Sequence, residues 1–147
     1  MFKHILLPTD GSKLSEKAIH AGVEMARVHG ARVTGFFAAP APTPLVYGDF
    51  MPVGYLPPDQ HEALIEKASK HHLAVVEKAA RDAGVEFNCL SVTSEFPADA
   101  IVEVARQQHC DLIFMASHGR RGLAELVLGS ETHKVLIHSQ IPVLVVR

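Results

Sequence analysis

Glycine and hydroxyl-bearing residues cluster late in the chain, between a short apolar run and a helical pattern. Gly119 follows the apolar run, and Gly129 and Ser130 stand where the helical pattern begins. Glycine lets backbone N–H groups approach an anion closely, and a helix N-terminus adds unpaired N–H donors with a partial positive charge. This combination predicts a phosphate-binding loop, to which Ser130 and Thr132 add hydroxyl groups.

A second polar position follows the first apolar run of the chain, where Pro8, Thr9 and Asp10 precede a glycine turn. Asp10 has two interpretations. It caps the following helix, as Asp often does after a strand, or its carboxylate accepts hydrogen bonds from the ribose or base of a ligand.

Apolar runs and helical periodicities alternate along the chain. Consecutive apolar residues predict five strands, at residues 3–8, 32–38, 86–93, 111–116 and 142–147. Apolar side chains at three- and four-residue spacings predict four helices, at about residues 13–29, 59–83, 97–108 and 130–138. The alternation, without an internal repeat, predicts a doubly wound α/β sheet with helices on both faces, in a single domain over residues 1–147.

Composition excludes several function classes. The chain has 147 residues, of which 48% are hydrophobic and 20% charged, and its formal charge is −2. Because no Lys/Arg cluster exceeds Arg120-Arg121, we expect no nucleic-acid surface. The apolar runs are strand-sized and no cationic leader opens the chain, so we expect no membrane span and a cytoplasmic location. Cys89 and Cys110 are expected to be buried free thiols.

The chain resembles the universal stress protein family in three places: residues 5–10, 116–130 and 142–146. Nucleotide-binding members carry Gly, two residues, Gly, nine residues, Gly and then Ser or Thr. Ala116, Gly119, Gly129 and Ser130 have this spacing, with alanine in place of the first glycine. The resemblance implies the adenine nucleotide alpha hydrolase-like strand order 3-2-1-4-5. Strands one and four are then neighbours at the point where the winding reverses, and ligands bind at the carboxyl ends of such strands.

The resemblance further implies that ATP, or another adenine nucleotide, binds there with Mg²⁺. The implied binding residues are Pro8, Thr9, Asp10, Ala38, Met115, Ala116, His118, Gly119, Arg120, Gly129, Ser130, Glu131 and Thr132. Backbone N–H groups of the loop and of the first helical turn, with the Thr132 hydroxyl, would face the phosphates, and Asp10 would contact the adenosine. The Glu131 side chain should point away because of its charge. No metal site made of protein side chains alone is expected.

Several alternatives remain open from the residues. If residue 116 needs a positive φ, alanine costs about 1 kcal/mol there, whereas a glycine that only avoids crowding could be replaced by alanine. Gly119, Gly129 and Ser130 could merely turn the chain and cap a helix, and Arg120 could be a solvated charge. The alternative function is a protein-interaction module of the same family that binds no nucleotide.

Three further expectations concern assembly, turnover and the proline-rich stretch at residues 39–58. In the family the last strand, here residues 143–147, commonly pairs with its copy across a two-fold axis, and an apolar edge strand needs cover, so we expect a homodimer. No base near the glycine loop and no P-loop lysine is apparent, so turnover should be slow or absent in a protein of stress response or regulation. Residues 39–58 should form a long loop that serves as a lid, a subunit contact or a disordered segment.

Overall fold

The computed structural model describes residues 1–41, 57–119 and 128–147. Five strands and four helices alternate in these ranges: β1 His4–Pro8, α1 Lys13–His29, β2 Arg32–Ala39, α2 Pro58–Asp82, β3 Phe87–Thr93, α3 Pro97–Gln107, β4 Leu112–Ala116, α4 Ser130–His138 and β5 Val143–Val146. The predicted bounds of α1 and α4 are met, and the other elements begin and end close to the predicted positions. Most of the 39–58 stretch, and so the question of its role, lies outside the described residues.

The five strands form one parallel sheet in the order β3-β2-β1-β4-β5, which confirms the expected order. β1 pairs with β2 on one side and with β4 on the other, so the winding reverses between β1 and β4. The carboxyl ends of these two strands, at Pro8 and Ala116, therefore flank the crevice in which ligands of such sheets bind.

Helices cover both faces of the sheet, which explains why the central strands are apolar at consecutive positions. Ile5 and Leu7 of β1 pack in one core cluster with α1 and α2, and Leu6 packs in a second cluster with α3 and α4. All three side chains are 0% exposed. Because successive side chains of a strand point to opposite faces, an uninterrupted apolar run is what two covered faces require.

The N-terminus of α1 is capped by a side chain, whereas those of α3 and α4, which lie at the crevice, are not. The Ser12 hydroxyl caps α1 by accepting a hydrogen bond from the Ser15 N–H at 3.2 Å. The N-cap residues of α3 and α4 are Phe96 and Gly129, and neither makes a side-chain capping hydrogen bond. The first-turn N–H groups of α3 and α4 are therefore open to partners from elsewhere.

A buried polar chain lies at the amino ends of β1, β2 and β3, away from the crevice. The His4 Nε2 lies 2.7 Å from the Thr34 Oγ1, and the Thr34 hydroxyl donates to the Asn88 Oδ1. The His4 Nδ1 is buried without a hydrogen-bond partner among the described residues. Burial, and then the Arg32 charge, lower the pKa of His4, which keeps the imidazole neutral.

Both cysteines are free thiols, as predicted. Cys110 is buried and Cys89 partly buried, and burial raises the pKa of Cys110 to about 12 and that of Cys89 to about 11. Both thiols are therefore protonated and unreactive near neutral pH. Within the described ranges, none of the helices has the length and apolar character needed to cross a membrane.

Candidate functional site

A cleft of about 790 Å³ lies at the carboxyl ends of the strands, beside the N-terminus of α4. Its size falls within the range of small-molecule sites, about 300–1,000 Å³. The predicted site residues among the described ones all line it: Pro8, Thr9, Asp10, Ala38, Met115, Ala116, His118, Gly119, Gly129, Ser130, Glu131 and Thr132. Arg120 lies outside the described residues. The structure thus brings together the two stretches that the sequence singled out.

Hydrogen bonds within the turn after β1 fix the Asp10 carboxylate. The Thr9 N–H donates to the Phe36 carbonyl at 2.8 Å, and the Thr9 hydroxyl accepts from the Gly11 N–H at 3.1 Å. The Asp10 Oδ1 accepts from the Ser12 N–H at 3.0 Å, which forms an Asx turn ahead of α1. The interpretation of Asp10 as the cap of α1 is therefore wrong, because Ser12 is the N-cap. The Asp10 side chain instead supports the turn before the helix, and Asp10 also lines the cleft.

The Asp10 carboxylate lies so close to Gly119 that a side chain at residue 119 would displace it. A Cβ added to Gly119 would lie 2.2 Å from the Asp10 Oδ2. Gly119 is not among the described glycines with a positive φ, so close approach, rather than backbone conformation, explains this glycine. The Asp10 carboxylate lies beside Gly119, so the expectation that no base lies near the glycine loop is wrong.

Protein groups use two of the donors that the sequence assigned to phosphates. The Gly129 N–H donates to the Ser117 carbonyl at 2.8 Å, and the buried Thr132 hydroxyl donates to the Ala116 carbonyl at 3.0 Å. These bonds close the chain back onto the end of β4, whose carbonyls would otherwise be buried without partners. In this structure the Thr132 hydroxyl and the Gly129 N–H are therefore engaged by protein carbonyls and do not point to a ligand.

The first turn of α4 supplies the remaining donors. The first intrahelical bond runs from the His133 N–H to the Gly129 carbonyl at 2.9 Å. The N–H groups of Ser130, Glu131 and Thr132 precede it, so they have no intrahelical partner. They make no hydrogen bond to any other described residue, and all three residues line the cleft. The positive end of the helix thus faces this space.

The Glu131 carboxylate bonds to the N-terminus of α3 and to a lysine of α4. Its Oε2 accepts from the Ala98 N–H at 3.0 Å, and its Oε1 pairs with the Lys134 Nζ at 2.9 Å. His118 also lines the cleft, and its Nδ1 lies 3.1 Å from the Ser117 Oγ. Its Nε2 makes no hydrogen bond to another residue in the described ranges.

The backbone at Ala116 decides between the two explanations of the missing glycine. Among the described non-glycine residues, only His109 has a positive φ. Ala116 is the last residue of β4 and pairs with Val146. Alanine is therefore unstrained at this position, and only its methyl group distinguishes it from the family's glycine.

Sequence reasoning missed the part of the cleft formed after β2 and β3. The additional lining residues are Ser15, Phe37, Pro40, Ala41, Ser94, Glu95 and Pro97. Because all strands of a parallel sheet end at one edge, the residues after β3 could have been found from the strand order alone. Asp10, Glu95 and Glu131 give the described lining three acidic side chains. In the described ranges no three His, Cys, Asp or Glu side chains are grouped to hold a metal ion.

The parallel sheet of order 3-2-1-4-5, with a cleft where the winding reverses, defines the class: a doubly wound α/β protein of the universal stress protein type. The chain belongs to the universal stress protein family, whose family model matches residues 1–147. It is 34% identical over 151 residues to a universal stress protein of Thermus aquaticus and 31% identical over 150 residues to YxiE of Bacillus subtilis, with 100% of both chains covered in each case.

Solved structures share this fold. The structure of the hypothetical protein MJ0577 has a TM-score of 0.75 at 28% identity and covers 99% of this chain and 96% of its own. A universal stress protein solved in complex with cAMP has a TM-score of 0.67 at 23% identity, with 99% and 97% covered. One from Archaeoglobus fulgidus in complex with dAMP has a TM-score of 0.67 at 19% identity, with 100% and 98% covered.

Proposed function

We propose that the protein binds ATP, or another adenine nucleotide, in this cleft and acts as a homodimeric module of cytoplasmic stress response or regulation. The observation that carries the proposal is the first turn of α4, whose N–H groups make no hydrogen bond to another described residue. Three backbone N–H groups at the positive end of a helix line a cleft of ligand size. Membership of the universal stress protein family supports the same assignment.

Each part of the cleft has a role in this proposal. The N–H groups of residues 130–132 bind the phosphates, together with His118 and the backbone at Gly119. Asp10 accepts hydrogen bonds from the ribose hydroxyls, because its Oδ2 lies at the Gly119 edge of the cleft. Ala38 and Met115, with Pro8 and Thr9, provide the wall for the adenosine. Arg120, adjacent in sequence to Gly119, remains a proposed phosphate ligand.

Mg²⁺ fits this arrangement as a ligand of the nucleotide. The cleft residues with acidic side chains, Asp10, Glu95 and Glu131, repel free phosphate charge. Mg²⁺ usually keeps several waters and binds through substrate phosphates with one or two carboxylates. In the proposal the ion therefore neutralises the phosphates, and the Asp10 carboxylate lies beside Gly119 of the phosphate-binding loop.

The ligands of two fold neighbours agree with the proposal at the level of the fold. Those two proteins were solved with cAMP and with dAMP, and both ligands are adenine nucleotides. At 23% and 19% identity they show that this architecture can hold such a ligand. The residues that we propose to bind the nucleotide are assigned from the cleft of this chain and not from those two structures.

The proposed homodimer uses the edge of the sheet at β5. The carbonyls of Pro142 and Val146 accept from the Ile113 and Ser117 N–H groups, so alternate residues of β5 face β4. The N–H and the carbonyl of one strand residue lie on the same side of the strand. Because Val146 faces β4, its neighbour Val145 directs its N–H and carbonyl away from β4, toward the open edge of the sheet. The four side chains of β5 are only half-buried in the single chain. A second copy of β5 would pair with this edge and cover it.

A second candidate is an interaction module that binds no nucleotide. The observations that favour it are the methyl group of Ala116, the engaged Gly129 N–H and the close packing of Asp10 on Gly119. Analysis of the purified protein separates the two. Adenine nucleotide released on denaturation supports the first candidate, whereas no release, together with no uptake at millimolar ATP and Mg²⁺ in equilibrium dialysis, supports the second.

A pair of variants at Ser130 tests the role of the helix N-terminus. Pro is tolerated at the first helical position, and Gly129 has φ −61° and ψ 148°, which suits the residue before a proline. Ser130→Pro therefore removes one N–H donor without breaking α4, and Ser130→Ala removes only the hydroxyl. A hydrogen bond to a charged group contributes about 1.5–3 kcal/mol. We expect Ser130→Pro to weaken ATP binding at least about tenfold relative to Ser130→Ala; equal affinities would refute the assignment.

A further inference from the structure

Glu131 connects the N-termini of two helices at the cleft. It is the second residue of α4, and its Oε2 accepts from the Ala98 N–H of α3 at 3.0 Å. Its Oε1 pairs with Lys134 on the next turn of α4 at 2.9 Å. Glu131 and Pro97, which begins α3, both line the cleft. One side chain thus spans two walls of the same space.

α3 depends on this contact because it has no cap of its own. Its N-cap residue Phe96 makes no side-chain capping bond, and Pro97 at the first position carries no N–H. The Ala98 N–H is therefore the first donor of α3 that needs a partner. Ala98 is 2% exposed, so water has little access to this N–H, and the Glu131 carboxylate supplies the acceptor.

The same carboxylate belongs to the turn of α4 that is proposed to bind phosphate. Glu131 stands between Ser130 and Thr132 in the sequence and its carboxylate bonds to the Ala98 N–H, so it places a negative charge on the same helical turn, where it opposes a bound anion. The Lys134 ammonium offsets part of this charge. The repulsion between the Glu131 carboxylate and the phosphates grows with the charge of the ligand, so it is greater for a nucleoside triphosphate than for a monophosphate.

We propose that Glu131 is a positioning residue for the cleft that also sets its preference among adenine nucleotides. Its hydrogen bond holds α3 against α4, and its charge favours ligands with fewer phosphate charges. The second part rests on the proposed nucleotide binding. The first part concerns the contact between α3 and α4 alone.

Two variants separate the hydrogen bond from the charge. Glu131→Gln keeps an oxygen that accepts from the Ala98 N–H and removes the charge. Glu131→Ala removes both. The matched control is Glu103→Gln, which removes a charge and an i,i+3 ion pair with Arg106 from α3 and leaves the cleft residues unchanged. Calorimetric titration with Mg²⁺-ATP and with AMP gives the affinities, and hydrogen exchange at the Ala98 amide reports the contact between the helices.

We expect Glu131→Gln to tighten ATP binding about two- to fivefold, and AMP binding by less. Glu131→Ala should bind ATP about tenfold more weakly than Glu131→Gln, because the Ala98 N–H loses its acceptor and α3 is no longer held. The Ala98 amide should stay protected in the Gln variant and exchange faster in the Ala variant. Glu103→Gln should match the unmodified protein in all three measurements.

Equal affinities of the Gln and Ala variants, or equal effects of Glu131→Gln on ATP and AMP, would overturn the inference. Unchanged protection of Ala98 in Glu131→Ala would also overturn it, whether or not a nucleotide binds. An unmodified protein that binds neither ATP nor AMP refutes the proposed function and the charge preference, and the exchange measurement then still decides on the contact between α3 and α4.

Discussion

The substitution Gly119→Ala tests the contact between the glycine loop and Asp10. The added Cβ would lie 2.2 Å from the Asp10 Oδ2, whereas ordinary contacts begin at 3.4 Å. The tip of the carboxylate must therefore shift, which strains the hydrogen bond from the Ser12 N–H to the Asp10 Oδ1. Because the loss of a hydrogen bond to a charged group costs at most about 3 kcal/mol and the carboxylate tip can shift, we expect the free energy of unfolding to fall by about 1–2 kcal/mol.

The assay is urea unfolding followed by circular dichroism, in a double-mutant cycle with Asp10→Ala. Without the carboxylate the new methyl group meets no obstacle from residue 10, and Gly119 has no positive φ that would penalise alanine. In the Asp10→Ala background we therefore expect Gly119→Ala to cost less than about 0.5 kcal/mol. ATP affinity should fall about tenfold or more in the single variant, since the proposed ribose ligand has moved. An equal loss of stability in both backgrounds would refute the assigned contact.

Four further substitutions or conditions give separate tests. Ala116→Gly should lower the free energy of unfolding by about 0.5–1 kcal/mol, because the backbone there is an unstrained strand, and a gain in stability on urea unfolding would contradict this. Thr132→Val should cost about 1–3 kcal/mol by leaving the Ala116 carbonyl without its donor, while Thr132→Ser should cost less; comparable losses would argue against that bond. The free energy of unfolding should decline as the pH is lowered through about 6.5, because the unfolded chain binds a proton at His4 more readily than the folded chain, in which the pKa of His4 is lowered. His4→Gln should reduce the dependence of the free energy of unfolding on pH in this range. An unchanged dependence would exclude His4 as its source. Val145→Pro should convert the proposed dimer into a folded monomer in analytical ultracentrifugation, since proline removes an outward N–H from an edge strand, and a persistent dimer would place the interface elsewhere.

Local patterns in the sequence sufficed for the elements of the fold. The run from Ile5 to Leu7 predicted a strand covered on both faces, and its side chains are divided between the two core clusters. Gly30 follows the last residue of the predicted helix 13–29, and it closes α1 in the left-handed conformation with φ 64°. The strand order, by contrast, came from the resemblance to a known family, because strand pairing depends on contacts that no local pattern encodes.

The candidate site was predicted as a set of residues but not as a set of hydrogen bonds. Residue types indicate which groups can donate, whereas the path of the chain decides where each donor is used. The Gly129 N–H and the Thr132 hydroxyl bond to Ser117 and Ala116 because the chain returns beside the end of β4. The acid at Glu95 was missed because the turn after β3 matched no motif, although the parallel sheet brings it to the same edge.

The central claim is that the first turn of α4 binds the phosphates of an adenine nucleotide. A titration of the ¹⁵N-labelled protein with Mg²⁺-ATP, followed by amide chemical shifts, tests it most directly. The account predicts the largest shifts at the Ser130, Glu131 and Thr132 amides and a small shift at Gly129, whose N–H is bonded to the Ser117 carbonyl. Saturating ATP that leaves the amides of residues 130–132 unchanged would contradict it.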